Sequence, residues 1–232
     1  MTYSKFTVAA DELTLGKDGA QHFKAALSMP QLRELENALA TQSRDRAGVR
    51  LSGVPELRPF LDPAGPVGQI PASLLGPACL PVRAILFDKS TEKNWSLGWH
   101  QDRTIAVKRR IDADGFGPWS IKSGMVHVEP PFDLLAGMVT VRVHLDAVPG
   151  TNGPLLIAPG SHRRGRIPAS EIQGVVRECG IVACLADAGD IWLYATPVLH
   201  ASEAAVAPLH RRVLQVDYAS CQLPGGLEWL GI

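Results

Sequence analysis

Charge of neither sign predominates in this chain. Its 232 residues carry 23 Lys+Arg against 23 Asp+Glu, a formal net charge of zero. That balance leaves no electrostatic footprint for nucleic acid or an anionic membrane surface, and neither is expected as a partner. Cysteine is sparse. Cys79, Cys179, Cys184 and Cys221 make no Cys-x-x-Cys pair, so the spacing of a zinc or redox motif is missing and free thiols in a reducing, cytoplasmic setting are expected. No apolar run approaches the length of a membrane-spanning helix, and the opening Met1–Phe6 lacks the apolar core of a signal peptide. Internal repeats and low-complexity tracts are absent as well.

What is present is ordinary globular composition, 46% hydrophobic and 20% charged, with 22 glycines and 18 prolines. Plentiful Gly and Pro suit short strands joined by turns, and an all-β chain of this length is expected to form a single domain over 1–232. Residues 11–45 read as helical. Gln21 to Leu27 carry apolar residues at helical spacing, and Pro30 fits the first turn of a second helix whose stripe is Leu32, Leu35 and Leu39. Residues 46–80 read as loops with one short strand.

From Val82 onward the texture is that of strands. Val82–Phe87, Leu155–Ile157, Ile191–Tyr194 and Arg212–Tyr218 are short apolar runs bounded by turn residues. Met138 to Leu145 alternates, with Met138, Thr140, Arg142 and His144 on one face and Val139, Val141, Val143 and Leu145 on the other. The fold class is therefore mainly β, a sandwich or barrel core over about 82–220 with flanking α-helices near the N-terminus.

The residues that carry chemistry begin at His100-Gln101-Asp102. In an extended strand, residues i and i+2 project to the same face, whereas a helix would place them roughly 200° apart. His100 and Asp102 can thus reach one ion, and His200, after a strand-like run, can supply a third ligand from another strand. Two imidazoles and one carboxylate form the ligand set of non-haem Fe(II) oxygenases and leave three positions free for a bidentate 2-oxo acid and O2. Arg211 lies 11 residues beyond His200. A guanidinium holds a carboxylate through two parallel hydrogen bonds, the task required at the far end of 2-oxoglutarate, and Ser202 can add a hydroxyl there. Arg212 is the rival. Adjacent strand residues face opposite ways, so only one of the two arginines can enter the site.

Four pieces in order resemble the phytanoyl-CoA dioxygenase family of Fe(II)/2-oxoglutarate oxygenases. They are Trp99-His100-Gln101-Asp102, Asn152-Gly153-Pro154-Leu155 followed by Pro159-Gly160-Ser161-His162, Leu199-His200-Ala201-Ser202, and Arg211 at its offset. The resemblance spans about 82–220. It implies a double-stranded β-helix, a cupin-like jelly roll with the metal at one open end. It also implies His100, Asp102 and His200 as iron ligands, Arg211 with Ser202 on the C5 carboxylate of 2-oxoglutarate, and turn-forming roles for the Asn-Gly-Pro-Leu and Pro-Gly-Ser-His pieces. Halogenating relatives replace the carboxylate ligand with a small residue, so the presence of Asp102 favours a hydroxylase that releases succinate and CO2.

Residues 103–137 are expected to form a long lid beside the site. Trp119, His127 and Arg142 are the candidate substrate residues, with Lys89 and Gln101 weaker ones and Trp95 and Trp99 as shields for the iron. The other histidines, His22, His144, His162 and His210, are expected to be structural or exposed, with His144, like His127, the exception expected to face the pocket. The substrate is expected to be a small molecule. Two other readings share the ligand set: a zinc hydrolase, which would also need a general base, and a cupin-like domain that binds a metal and a small acid without turnover.

Overall fold

Alternation decides the frame, and strand β8 (Val139–His144) shows how. Val139, Val141 and Val143 enter an apolar core on one side, while Thr140 and Arg142 bond Asp217 and Gln215 on the other. The computed structural model describes residues 12–42, 48–207 and 209–232. Beside β8 stand β11 (Ile191–Ala195) and β13 (Arg211–Ala219). Beyond them lie β1 (Ala20–Phe23), β3 (Leu80–Lys89) and β2 (Gly48–Leu51). Together they form a six-stranded antiparallel sheet in the order β1-β11-β8-β13-β3-β2. The second sheet has the order β10-β9-β12-β4, built from β4 (Leu97–His100), β9 (Leu155–Ile157), β10 (Val182–Cys184) and β12 (His200–Ser202). The two sheets close on one another as a double-stranded β-helix. At one end the interior is apolar, where Leu155, Ile157, Val182 and Cys184 meet Trp192, Tyr194 and Val198.

The outer face of the large sheet is covered by helices. Among them are α2 (Met29–Ala38), α3 (Arg58–Leu61) and α4 (Gln69–Leu75), whose apolar residues join Leu86, Val141, Leu214 and Tyr218 in one core. Helix α2 starts where the sequence places it. Ser28 caps Gln31, the Gln31 side chain answers the Ser28 backbone, and Leu32, Leu35 and Leu39 are buried.

Three expectations change here. Gln21–Leu27 is not a helix. A single turn, α1 (Leu15–Asp18), leads into β1, which pairs with β11 along its length. His22 stacks on Trp192 at 4.4 Å and meets Asp190 at 3.0 Å, while the Ala25 amide donates to the same carboxylate at 2.7 Å. Pairing at an open sheet edge outweighs a local helical pattern. (Position 11 and positions 43–45 of the helical reading, with 46 and 47 of the loop reading, lie outside the described residues.) Residues 48–80 hold α3 and α4 besides the strand β2. Their prolines sit in or near a first turn, where proline costs little, so proline content concealed them.

The segment 103–137 is not a structureless loop. It forms a third antiparallel sheet, β5-β7-β6, from β5 (Ile105–Val107), β6 (Trp119–Lys122) and β7 (Met125–Val128), and then helix α5 (Phe132–Ala136). The C-terminal residues pin it. Val107 bridges Trp229, the Lys108 amide donates to Glu228, and the Leu230 amide donates to Ala106. Lys122 of this sheet lines the cavity. A last helix, α6 (Ile172–Cys179), packs Val175 and Val176 near Leu199 behind the small sheet.

Candidate metal centre

Register places the two imidazoles. His200 on β12 lies directly opposite His100 on β4, and their rings are 4.3 Å apart. Asp102 stands two residues past the end of β4 and turns to the same point. One ligand atom from each of His100, Asp102 and His200 lies within 4.8 Å of the others. Each histidine is oriented by its own strand: His100 Nδ1 meets the Gly98 carbonyl at 2.8 Å and His200 Nδ1 meets the Val198 carbonyl at 3.0 Å. A carbonyl can only accept, so Nδ1 carries the proton and both Nε2 lone pairs are left for an ion. Burial pushes His200 down to about 4, against the opposing pull of Asp102, so the ring is neutral and competent as a ligand.

A buried carboxylate should hold its proton more tightly, yet Asp102 is held below the usual carboxylate range. Against desolvation stands the Arg83 guanidinium, by charge and by hydrogen bond. Arg83 Nη2 reaches Asp102 at 3.1 Å and its Nε reaches Asp217 at 2.5 Å. Asp217 also accepts from Thr140 at 3.0 Å, and Thr140 touches Thr196 at 3.1 Å. This buried chain fixes the ligand carboxylate and keeps it ionised. Gln101, between the two ligands, is buried. Its Nε2 donates to Gly165 at 3.0 Å and Pro197 at 2.8 Å, and its Oε1 accepts from the Ile167 amide at 2.9 Å. It ties the β4 end to the turn before β12. Gln101→Ala removes all three bonds and unpairs buried backbone groups. About a tenfold loss of metal affinity is expected, with a stability loss of about 2–3 kcal/mol, read by chelator competition and thermal melting.

Beside the metal point the cavity encloses about 230 Å³. Arg211 and Arg142 on its wall, with Lys89 packed beside Arg211, make one end cationic. Arg211 is 3% exposed and donates to the Gly153 carbonyl through Nη1, and its Nε is buried without a partner. Lys89, its register neighbour on β3, donates to Ser202 Oγ and to the Glu203 carbonyl, each at 3.1 Å, and lies over Trp95 at 4.5 Å. Arg142 bonds Gln215 at 2.9 Å. These cations crowd one another. Burial, then Arg211 and Arg142, push Lys89 down to about 7, and burial with Arg142 pushes Arg211 down to about 9. Arg212 points the other way, to Asp146 at 2.6 Å and Glu36 at 2.6 Å. The structure therefore puts Arg211 in the cavity and Arg212 outside it.

A model of the phytanoyl-CoA dioxygenase (PhyH) family matches residues 59–213, about two thirds of the sequence. The chain belongs to the phytanoyl-CoA dioxygenase family. Membership gives the class of activity, a 2-oxoglutarate-dependent non-haem iron oxygenase. No curated protein sequence matches the chain. Among solved structures, EctD from S. alaskensis with 2-oxoglutarate and 5-hydroxyectoine matches with a TM-score of 0.67 at 18% identity, over 95% of this chain and 78% of its own. The carbocyclase SnoK from nogalamycin biosynthesis matches with 0.63 at 20% identity, over 93% of this chain and 87% of its own. The epimerase SnoN from nogalamycin biosynthesis matches with 0.64 at 18% identity, over 93% and 85%. At such identities the likeness establishes the fold, and the fold agrees with the family.

For this family member the motif turns do more than shape the barrel. Gly153 places its carbonyl under both Arg211 and Ser202, the latter at 3.2 Å, and at φ +59° a Cβ there would meet the Glu203 carbonyl at 2.6 Å. Ser161 Oγ accepts from the Leu199 amide at 2.9 Å, fixing the strand that carries His200. Of the three candidate substrate residues only Arg142 lines the cavity. Trp119 sits half-buried in the core beneath β5-β7-β6, with Arg110 over its ring at 5.5 Å. His127 is fully buried, bonded through Nδ1 to the Met125 carbonyl at 3.0 Å, and its Nε2 has no partner. Trp95 lines the cavity, whereas Trp99 packs away from it beside Leu156 and Leu199. Sequence reasoning missed Arg83, Asp217 and Gln215. The available signal was polar residues at period two inside apolar strands: Arg83 and Lys89 flanking Ile85 and Phe87, and Arg211, Gln215 and Asp217 around Val213.

Proposed function

We propose that this protein hydroxylates an unactivated C–H bond of a small molecule, using Fe(II), 2-oxoglutarate and O2 and releasing succinate and CO2. The observation that carries the reading is the pairing of a two-histidine, one-carboxylate set with the buried guanidinium of Arg211 on the wall of the same cavity. The donor set fits iron: both Nε2 atoms are free, Asp102 is ionised, and nothing among the described residues fills the open side. Iron, when bound, would activate O2, the four-electron oxidant, with 2-oxoglutarate decarboxylation supplying two of the electrons and the substrate C–H bond the other two. His100, Asp102 and His200 would hold it, Arg211 with Ser202 would clamp the C5 carboxylate, and Lys89 and Arg142 would balance the remaining charge. The bound complex of EctD holds both 2-oxoglutarate and 5-hydroxyectoine, a pairing that supports hydroxylation, while SnoK and SnoN show that the fold also carries ring closure and epimerisation. A zinc hydrolase lacks support, because the groups ringing the ligands are cations rather than a general base. We place the whole chain in one catalytic unit, with β5-β7-β6 as its fixed cover. The four unbridged cysteines suit a cytoplasmic enzyme.

Anaerobic titration of the Fe(II)-loaded protein with 2-oxoglutarate tests the reading. A visible metal-to-ligand charge-transfer band, followed by succinate release when O2 is admitted, is expected. Metal-loaded, folded protein without that band overturns it, and a band without succinate release leaves a binding domain in place of an enzyme.

The crowding of cations gives a pH dependence with a definite sign. Lys89, with a pKa near 7 in the free protein, is mostly neutral at pH 8. A dianion beside it favours the protonated form, so 2-oxoglutarate binding at pH 8 takes up a proton. Affinity is expected to weaken as pH rises above 7. Calorimetry in buffers of different ionisation enthalpy reads the uptake, and Lys89→Met should abolish it.

A further inference from the structure

Resting on the oxygenase reading, we propose that the substrate is itself an acid, and that Arg50 and Lys122 hold its carboxylate on the outer side of the metal centre. Arg50 projects from β2, an edge strand of the large sheet, and Lys122 from β6, an edge strand of the cover. Both line the cavity that contains His100, Asp102 and His200. They come from separate sheets and meet across the cavity mouth, where Arg50 Nη1 donates to Ser123 Oγ at 3.3 Å and Lys122 Nζ donates to Thr104 Oγ1 at 2.8 Å. Those partners are neutral hydroxyls. Arg50 Nε is buried with no hydrogen-bond partner. Unanswered buried donors on a cation are expensive, and a ligand anion is the group that would satisfy them.

Among the described residues the only acid acting on this pair is Asp102, and that carboxylate is committed to Arg83 and to the metal site. Once a dication sits on Asp102, its countercharge is lost to the pair. The cosubstrate does not supply a replacement. The cations fall into two electrostatic groups, Lys89 with Arg142 and Arg211 at one pole, Arg50 with Lys122 and Arg83 at the other, each crowding only its own members. 2-Oxoglutarate occupies the first pole, which leaves the second for a substrate oxyanion. Anchored there, a small acid would present its neighbouring carbons to the open side of the metal centre, and the fixed distance would select which C–H bond is attacked.

The probe is propionate, with propionamide as its neutral counterpart, titrated calorimetrically into Ni(II)-loaded protein saturated with 2-oxoglutarate. Binding of propionate but not propionamide is expected. It should weaken about tenfold in Arg50→Gln and in Lys122→Gln, the loss of one charge-assisted hydrogen bond. Arg50→Lys, which keeps the charge, should retain most of it. The 2-oxoglutarate Kd should stay within about twofold in both glutamine variants. Propionate binding that ignores both substitutions, or no propionate binding at all, overturns the proposal. So does a glutamine variant that weakens 2-oxoglutarate instead, since the pair would then serve the cosubstrate. If the wild type fails to bind 2-oxoglutarate while propionate still depends on Arg50 and Lys122, the oxygenase reading falls and the acid site stands.

Discussion

Asp102→Ala is expected to lower Fe(II) affinity by more than about 100-fold and to take succinate release below detection. Partners that merely orient a ligand are worth about 10–100-fold in metal affinity, so a direct ligand lies beyond that range. The residues left, His100 and His200, are two neutral imidazoles that cannot offset the charge of a divalent ion in a buried site. The protein should nevertheless fold. Arg83, which loses Asp102, keeps its 2.5 Å contact to Asp217, and Asp217 keeps Thr140, so no buried cation is stranded. Asp102→Asn makes a sharper test, because it preserves volume and removes only the charge. Iron competition against a chromogenic chelator, alongside a thermal melt, separates metal loss from unfolding. Unchanged iron affinity in a folded Asp102→Ala protein would overturn the assignment of all three ligands.

How much of this was legible in the sequence depended on how local the cause was. The His100–Asp102 spacing could be read because strand geometry alone puts i and i+2 on one face, and the same rule separated the two faces of Met138–Leu145. The partner of that pair, His200, could be read only as a histidine after a strand. Its register opposite His100 is a product of how β12 meets β4. Helix α2 announced itself through its stripe and Pro30, whereas β1 was hidden because its pairing with β11 spans most of the chain. The segment 103–137 looked like a loop for a similar reason: three of its strands are short, and its fixation comes from Trp229 and Leu230 at the far end of the sequence. Polar residues in the barrel interior were the least visible. Arg83, Gln215 and Asp217 sit in strands otherwise apolar, and only the assembled sheet shows that they point at a metal centre instead of solvent. Lys122 and Arg50 come from separate sheets, so no window of sequence could join them.

Arg211→Ala is expected to raise the 2-oxoglutarate KM by about 100-fold or more, while Arg212→Ala leaves it within about twofold. Truncating one member of a buried, hydrogen-bonded charge pair costs about 2–5 kcal/mol, and each 1.4 kcal/mol is a factor of ten. Arg211 meets that description because it is buried, lies on the cavity wall and has an Nε without a partner. Arg212, one residue on, is partly exposed and spends its donors on Asp146 and Glu36, a pairing worth about 1 kcal/mol of stability at most. The two variants thus divide cleanly between binding and folding. Arg211→Ala carries a second consequence of opposite sign. In the free protein Arg211 is one of three basic groups packed together with no anion beside them among the described residues, and it is among the causes that hold Lys89 down. Removing it relieves that repulsion, so the Lys89 pKa should rise toward its ordinary value and the cosubstrate-free protein should melt no lower than wild type. The proton uptake on 2-oxoglutarate binding at pH 8 should shrink accordingly, because Lys89 would already be charged. A rise in KM together with a lower melting temperature and unchanged proton uptake would instead make Arg211 a structural residue, and Lys89 with Ser202 would have to hold the cosubstrate alone.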